Sequence, residues 1–456
     1  MTTTLPLGGA LPDIDRFCTV DELHADIERL AAERPDVCRL RRVGSSRLGE
    51  PLRLLSVGDG PRNALIVGGP HPNEPVGLLT VRHLARLVAA EPALRSDFTW
   101  HFLPCLDPDG ARLNEAWLDG PYTIRRYHSR FHRPAFADQP EWTFPVLDER
   151  AYFDRPLPET QALARLIDEL RPAFQYSLHN ADFGGAFFVL SHAAPGLAAE
   201  LGALTERHGV PMSLGPVDTL GWPEAGPGVY VLPGAEELIA ARAGAGDARG
   251  GGSSAHYASR HGTLTLIAEV PLWYDPRAAD GSDSGQPYAT VLRAGAERLR
   301  ADAAELSDVH DAVLPLLAVA TPMRAAVTDT LAGARAVADA HDAVAAAVGE
   351  RTATVAEEFG ARCVPQMMRL RAAGLLRRQL AVELASGNQP PALRRAARAA
   401  GRLFDERCGE AERELPGAAF PLRRLVGVQV EAALVAVRGL GGGVSGRDVE
   451  KGEWDG

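Results

Sequence analysis

The chain has 456 residues, of which 46% are hydrophobic and 23% are charged, and its formal net charge at pH 7 is -11. This length exceeds the roughly 250–300 residues at which a single hydrophobic core stops growing, so we expect more than one domain. The negative charge argues against non-specific binding to nucleic acid or to an anionic membrane surface. No apolar stretch is long enough to cross a bilayer, so we expect no membrane partner.

The N-terminal stretch and the cysteines indicate the cellular compartment in which we expect the protein. The first 17 residues, MTTTLPLGGALPDIDRF, lack a basic region followed by an apolar core, so we expect no secretory signal. The five cysteines are scattered and show no paired spacing, which favours reduced thiols over a disulfide framework or a cysteine zinc site. The sequence therefore predicts a cytoplasmic location.

In the first part of the chain, short apolar runs alternate with helical patterns from about Val20 to Pro276. Thr19 followed by Glu22 forms a capping box that predicts the start of the first helix, and RLRRVGSSRLGEPLRLLSVG predicts a β-hairpin. Further strands are predicted at NALIVGG, FTWHFLPCLDP, AFQYSLHN and GTLTLIAEV, and further helices at LLTVRHLARLVAA and PETQALARLIDELRP. This alternation predicts an α/β fold with a mixed, largely parallel sheet flanked by helices.

The second part of the chain has a different composition. Residues 234–254 end in a glycine-dense stretch that predicts a mobile surface loop. Residues 289–440 are rich in alanine, arginine and leucine with helical periodicity, and residues 441–456 form a loose tail. We therefore predict a first domain at residues 1–288, an all-helical C-terminal region at residues 289–440 and a flexible tail. The helical region could pack over the functional site, mediate self-association or bind another protein.

The stretch GGPHPNEPVG, residues 68–77, places an imidazole and a carboxylate in one tight turn after a buried strand. His71 and Glu74 are close enough in sequence to share one metal ion, and ligands of open α/β sheets lie at the carboxyl ends of strands. A lone pair of this kind also occurs by chance, so an ordinary strand-to-helix turn is the alternative.

Two later strand ends supply the remaining groups that a hydrolytic metal site needs. His179 follows the strand-like run AFQYSLH and could be the third ligand, or a histidine that is hydrogen-bonded at a sheet edge. Glu269 ends the apolar run GTLTLIAE and could be the base that takes a proton from water. A carboxylate so close to a core costs several kcal/mol unless it is paired or functional. The alternative is a glutamate that faces solvent or pairs with an arginine.

With these four residues in this order, the chain resembles the zinc carboxypeptidases of the carboxypeptidase A type. CLDPDGARLNE resembles the family's Asn-Pro-Asp-Gly motif, with Asp107 in place of the usual asparagine, and GSSRLGEPLRLLSVG resembles its hairpin, with Glu50 at an arginine position. The resemblance covers roughly residues 20–275. It implies that residues 1–288 form the catalytic domain, that one zinc ion is held by His71, Glu74 and His179, and that Glu269 is the general base.

The resemblance also implies basic residues that contact the substrate. An arginine downstream of Pro-Asp-Gly polarises the scissile carbonyl in the family, and Arg125 is the preferred candidate over Arg126. The pair that clamps a terminal carboxylate has no clean counterpart, and Arg130 and Arg133 are the nearest candidates. A solvated basic surface is the alternative for these arginines.

Two further positions depart from the family or match it weakly. The residue between the paired ligands, often arginine in digestive members, is Asn73. Tyr257 could close over the substrate, or could serve only in loop packing.

The predicted function is a zinc-dependent hydrolase that cleaves an amide bond by attack of an activated water. The first interpretation is a metallocarboxypeptidase acting on a peptide or modified peptide. The second is a deacylase of N-acyl amino acids, because HPNE resembles the H-G-N-E element of the aspartoacylase and succinylglutamate desuccinylase group. The third is a non-catalytic binding protein on the peptidase fold, with the helical region as its working surface.

Overall fold

The computed structural model describes residues 11, 13–147, 152–244, 250–415 and 417–441. The described helices are α1 (Val20–Glu33), α2 (Val76–Ala90), α3 (Pro108–Arg112), α4 (Ile124–Arg130), α5 (Pro158–Leu170), α6 (Leu197–His208), α7 (Ala235–Gly244), α8 (Ser254–Ser259), α9 (Tyr288–Asp311), α10 (Pro322–Ala347), α11 (Val355–Ala385), α12 (Pro391–Glu414) and α13 (Leu422–Gly441). The described strands are β1 (Cys38–Ser45), β2 (Pro51–Val57), β3 (Arg62–Val67), β4 (Phe98–Leu103), β5 (Val146–Leu147), β6 (Tyr152–Phe153), β7 (Phe174–Gly184), β8 (Phe187–Leu190), β9 (Glu224–Gly226), β10 (Val229–Val231), β11 (Leu264–Tyr274), β12 (Asp283–Pro287), β13 (Thr352–Thr354) and β14 (Ala418–Ala419).

One large sheet organises the first part of the chain, with the strand order β1-β2-β4-β3-β7-β11-β8-β10-β9 and β14 paired to β11. Its four central strands, β4, β3, β7 and β11, run parallel. Strands β1 and β2 form the predicted antiparallel hairpin, and β2 joins this hairpin to the edge of the parallel strands at β4. Because the central strands are parallel, their carboxyl ends lie along one edge of the sheet, where a site can form.

Local sequence signals explain how several of these elements begin and pack. At the start of α1 the Thr19 hydroxyl accepts a hydrogen bond from the Glu22 amide, and the Glu22 carboxylate accepts one from the Thr19 amide. This reciprocal pair is the predicted capping box. In β3, alternate side chains enter opposite sides of the sheet, since Ile66 belongs to the core on one face and Val67 to the core on the other.

Helices cover both faces of the sheet. On one face lie α1, α2, α6 and α13, and on the other lie α5 and α8. This arrangement confirms the predicted fold class of a mixed sheet flanked by helices. Among the described residues, we find no helix that combines the length and the apolar character needed to span a membrane.

The C-terminal region is mainly helical, as predicted, but it is not separate from the sheet. Helices α9 to α12 pack on one another, and α11 and α12 also contact α4. Helix α13 lies against the sheet between α2 and α6, and β14 extends the sheet beside β11. The boundary at residue 288 stays a prediction. Residues 442–456 of the predicted tail and residues 245–249 of the predicted mobile loop lie outside the described residues, and α7 occupies much of the first half of that loop segment.

Candidate active site

The turn that carries His71 and Glu74 packs closely against the ends of neighbouring strands. A Cβ atom on Gly68 would lie 2.3 Å from the carbonyl oxygen of Pro104, and one on Gly77 would lie 2.7 Å from the Leu178 Cβ, so both positions need glycine. The Glu74 amide donates a hydrogen bond to the His71 carbonyl at 3.2 Å, which closes the turn. The turn therefore brings both side chains to the carboxyl edge of the sheet.

The structure brings His71, Glu74 and His179 together. One ligand atom from each lies within 4.8 Å of the other two, and all three residues are buried. His179 Nδ1 is 3.0 Å from Glu74 Oε2, and the two imidazole rings are 4.9 Å apart. Two imidazoles and one carboxylate are the donor set of a catalytic zinc site with an open position.

A buried nitrogen tests whether this cluster fits a metal. His71 Nδ1 has no hydrogen-bond partner among the described residues, although the residue is only 2% exposed. An unsatisfied buried polar atom costs free energy, so this nitrogen suits a ligand bond. Burial also lowers the pKa of His71 well below its ordinary value, and a neutral imidazole is the form that binds metals. The cluster therefore fits one zinc ion.

Two of the three ligands, His179 and Glu74, are also held on their outer sides. The Ser177 hydroxyl is 2.9 Å from His179 Nε2, which leaves Nδ1 facing the cluster. Arg133 donates from Nη1 to Glu74 Oε1 at 2.8 Å. For His179, burial opposes the charged form, but the hydrogen bond and charge of Glu74, with the charge of Glu269, raise the pKa overall. Such outer partners fix the orientation of metal ligands.

Glu269 lies beside the cluster on the neighbouring strand. In the register of β7 and β11 it is paired with His179, and its Oε1 is 3.6 Å from His179 Nδ1. Burial raises the pKa of Glu269, and the nearby charge of Glu74 raises it further. A carboxyl group in this setting can accept a proton and later return it.

The structure does not bring Arg125, Arg126 or Arg130 to the cluster. Arg125 bonds Asp405 at 2.5 Å with 43% of its side chain exposed, Arg126 bonds Asp119, and Arg130 is exposed. These arginines lie on the outer face of α4, because the inner face of this short helix is occupied by the buried residues Ile124, Tyr127 and His128.

The other two predicted substrate contacts have different outcomes. Tyr257 lies away from the cluster, where its hydroxyl donates to Asp168 at 2.7 Å and its ring packs against Arg260. Arg133 follows the end of α4 and turns inward to reach Glu74. Of the four arginines proposed from sequence, the structure places this one at the cluster.

A cavity of about 300 Å³ extends from the cluster to the wall formed by α11. Among the described residues, the arginine side chains that line it are Arg133 and Arg371. Arg371 donates to Asp182 Oδ2 from Nη2 at 2.9 Å and from Nε at 3.3 Å, and the Tyr127 hydroxyl donates to Asp182 Oδ1. The apolar side chains that line the cavity include Trp142, Phe183, Phe187, Trp222, Ile267, Phe359, Val364 and Met367.

The sequence analysis missed several polar residues of this cavity, among them Glu141, Asp182 and Arg371. Glu141 is buried, accepts hydrogen bonds from the amide and hydroxyl of Ser254, and has its pKa raised by burial to about 7. Asp182 gave a usable signal, since it is an acidic residue within the apolar strand that carries His179. Arg371 gave none, because it comes from a helix far along the chain.

The comparison with known proteins agrees with this geometry. Residues 23–182 match the zinc carboxypeptidase family. The matched segment contains all three residues of the metal cluster and ends before Glu269. The predicted resemblance and the predicted use of one zinc ion are therefore confirmed, and the match favours neither the deacylase nor the non-catalytic interpretation.

Three similar proteins define how far the likeness extends. Zinc carboxypeptidase A 1 from Anopheles gambiae is 30% identical over 116 residues, which cover 23% of this chain and 27% of that relative. The carboxypeptidase A structure from Helicoverpa armigera is 14% identical with a TM-score of 0.39, covering 74% of this chain and 75% of its own. A metallo-carboxypeptidase from Burkholderia cenocepacia is 14% identical with a TM-score of 0.33, covering 72% and 70%. These structural scores are too low to support a conclusion about activity.

Proposed function

We propose that this protein is a zinc-dependent hydrolase that removes a residue from the end of a peptide or modified peptide. The observation that carries the proposal is the meeting of two imidazoles and one carboxylate within 4.8 Å, with a second carboxylate 3.6 Å from one of the imidazoles. In this proposal His71, Glu74 and His179 hold the ion. When bound, a zinc ion supplies a Lewis acid and an open position for water or a carbonyl oxygen.

Glu269 moves the protons in the proposed reaction. Its carboxylate accepts a proton from the attacking water and then donates that proton to the nitrogen of the departing amine. The side chain is 17% exposed, so it reaches the cavity while protein atoms surround most of it. Its raised pKa suits the first half of this cycle, because a carboxylate with an ordinary pKa is a weaker base and would accept the proton less readily near neutral pH.

The size of the cavity and the presence of two arginine side chains in its lining support a small substrate end that carries a carboxylate. About 300 Å³ is at the lower end of the range for ligand pockets, so the cavity suits about one residue and its adjoining amide. Arg133 is engaged with Glu74, whereas Arg371 has its described hydrogen bonds only through Nε and Nη2. We therefore assign Arg371, in place of the arginines of α4, as the guanidinium that meets a substrate carboxylate.

The test is release of C-terminal amino acids from a mixed peptide library. Purified protein is stripped with a chelator, restored with Zn²⁺, and assayed by mass spectrometry of the released amino acids. We expect activity only after Zn²⁺ is restored, and no release by Glu269→Gln. The control Glu169→Gln changes an exposed glutamate that pairs with Arg41, and it should match the unaltered protein. Restored protein that binds Zn²⁺ but releases nothing would contradict the proposal.

The proposed location and partners follow from the chemistry of the chain. All five cysteines are buried free thiols in the structure, which supports the cytoplasm as the proposed location. The net charge of -11 argues against a nucleic-acid partner, and the cavity beside the metal cluster supports a peptide or small amide as the substrate.

A further inference from the structure

Helix α13 places one buried side chain beneath the candidate active site. Gln429 is fully buried, and its Nε2 donates to the carbonyl oxygen of His179 at 2.6 Å and to that of Ala268 at 3.2 Å. Its Oε1 accepts a hydrogen bond from the Thr80 hydroxyl at 2.7 Å. The Gln429 backbone carbonyl also accepts a hydrogen bond from the hydroxyl of Tyr176 at 3.0 Å.

These bonds join the elements that carry the cluster. His179 is in β7, Ala268 immediately precedes Glu269 in β11, and Thr80 is in α2, which begins just after Glu74. One carboxamide therefore connects the backbone at the third metal ligand, the backbone at the proposed base and the helix behind the His71 turn. Each of its hydrogen-bonding atoms has a partner, as a buried amide requires.

The sheet leaves a place for such a connection. Strand β3 pairs with β7 only as far as Ser177, because the chain leaves β3 after Val67 to form the turn that carries His71. His179 therefore lies beyond the part of β7 that is covered by strands on both sides. At this level Gln429 donates to the His179 carbonyl oxygen.

We propose that Gln429 is a positioning residue for the metal site, which makes the C-terminal helix α13 a working part of the active site. It fixes the separation of β7 and β11 at the level where His179 and Glu269 project, and so keeps the His179 ring in reach of the ion. This inference rests on the proposed function, since it assumes that His179 binds Zn²⁺.

The test compares zinc affinity in two variants that each lose a buried glutamine. Gln429→Met removes the carboxamide at nearly constant side-chain length, and Zn²⁺ affinity is measured by competition with a chromophoric chelator in the absence of substrate. We expect the dissociation constant for Zn²⁺ to rise about 10- to 100-fold, as for other partners that orient metal ligands. The matched control is Gln379→Met, because Gln379 is also fully buried but bonds Thr321 and Glu383 in the helical bundle. We expect it to lose stability with unchanged zinc affinity.

A second variant tests the role of Gln429 even if Gln429→Met fails to fold. Thr80→Val removes the hydroxyl that orients the Gln429 carboxamide while it keeps the side-chain shape, and it should weaken zinc binding by a smaller factor than Gln429→Met. Equal zinc affinity in Gln429→Met and the unaltered protein, or equal losses in Gln429→Met and Gln379→Met, would overturn the inference. Unaltered protein that binds Zn²⁺ without releasing amino acids would refute the proposed activity alone, and the affinity comparison would still decide the role of Gln429.

Discussion

Asp107 is a fully buried carboxyl group, and its replacement by asparagine should make the protein less sensitive to rising pH. It stands at the position where the zinc carboxypeptidase motif has asparagine. Its Oδ1 accepts a hydrogen bond from the Gly110 amide at 3.0 Å, whereas its Oδ2 has no partner among the described residues. Burial raises its pKa from 3.8 to about 7, although the Gly110 amide and the charge of Arg47 oppose the rise.

The sign of the effect follows from proton linkage. Between about pH 4 and pH 7 the native protein keeps the Asp107 proton that the unfolded chain has released, so native stability falls as pH rises through this window. Each pH unit in the window costs about 1.4 kcal/mol. The unaltered protein should therefore lose about 3 kcal/mol relative to Asp107→Asn between pH 5 and pH 8. An unpaired asparagine amide would add a cost of about 1–3 kcal/mol that does not change with pH.

The assay is urea denaturation of both proteins at several pH values from 5 to 8, with excess chelator so that metal binding does not contribute. The quantity of interest is the difference in the free energy of unfolding between the two proteins at each pH. Asp97→Asn is the control, because the Asp97 side chain is 63% exposed. The free energy of unfolding of this variant should change with pH in the same way as that of the unaltered protein. A constant difference between Asp107→Asn and the unaltered protein across this range would refute the reasoning.

Three further predictions concern the site itself. Glu269→Gln should reduce kcat by at least about 100-fold while the Zn²⁺ dissociation constant, from chelator competition, changes little; a retained kcat would remove Glu269 from its proposed role. Arg371→Met should raise KM for peptides with a free C-terminus by about 10- to 100-fold in steady-state assays. It should have little effect on KM for C-terminally amidated peptides if these are cleaved. The control Arg125→Met, on the outer surface, should leave KM unchanged for both kinds of peptide. Gly77→Ala should lower the free energy of unfolding by about 1–3 kcal/mol in urea, because its Cβ would press on Leu178; unchanged stability would mean that α2 can move away from β7 at little cost.

The sequence predicted those parts of the fold and site whose signals are local. The capping box at Thr19, the hairpin and the apolar strands each depend on neighbouring residues, so their patterns are visible in the chain. His71 and Glu74 share one turn, and His179 and Glu269 each stand near the carboxyl end of an apolar run. Parallel pairing then brings such ends together, which made the cluster predictable before the strand order was known.

The cationic side of the cavity was not predictable in the same way. Arg125 and Arg371 are the same residue type, and neither their neighbours nor their spacing reveals which one faces the substrate. That choice depends on which face of α4 packs inward and on where α11 docks. Both are set by contacts between residues far apart in sequence, which no local pattern records.

The position of Gln429 has a consequence for the order in which the protein matures. Synthesis proceeds from the N-terminus, so His71, Glu74, His179 and Glu269 all leave the ribosome before α13 does. Until that helix docks, the carbonyl oxygens of His179 and Ala268 lack the carboxamide that holds them in the finished molecule. On the proposed role of Gln429, a growing chain would therefore hold zinc less tightly until α13 has docked.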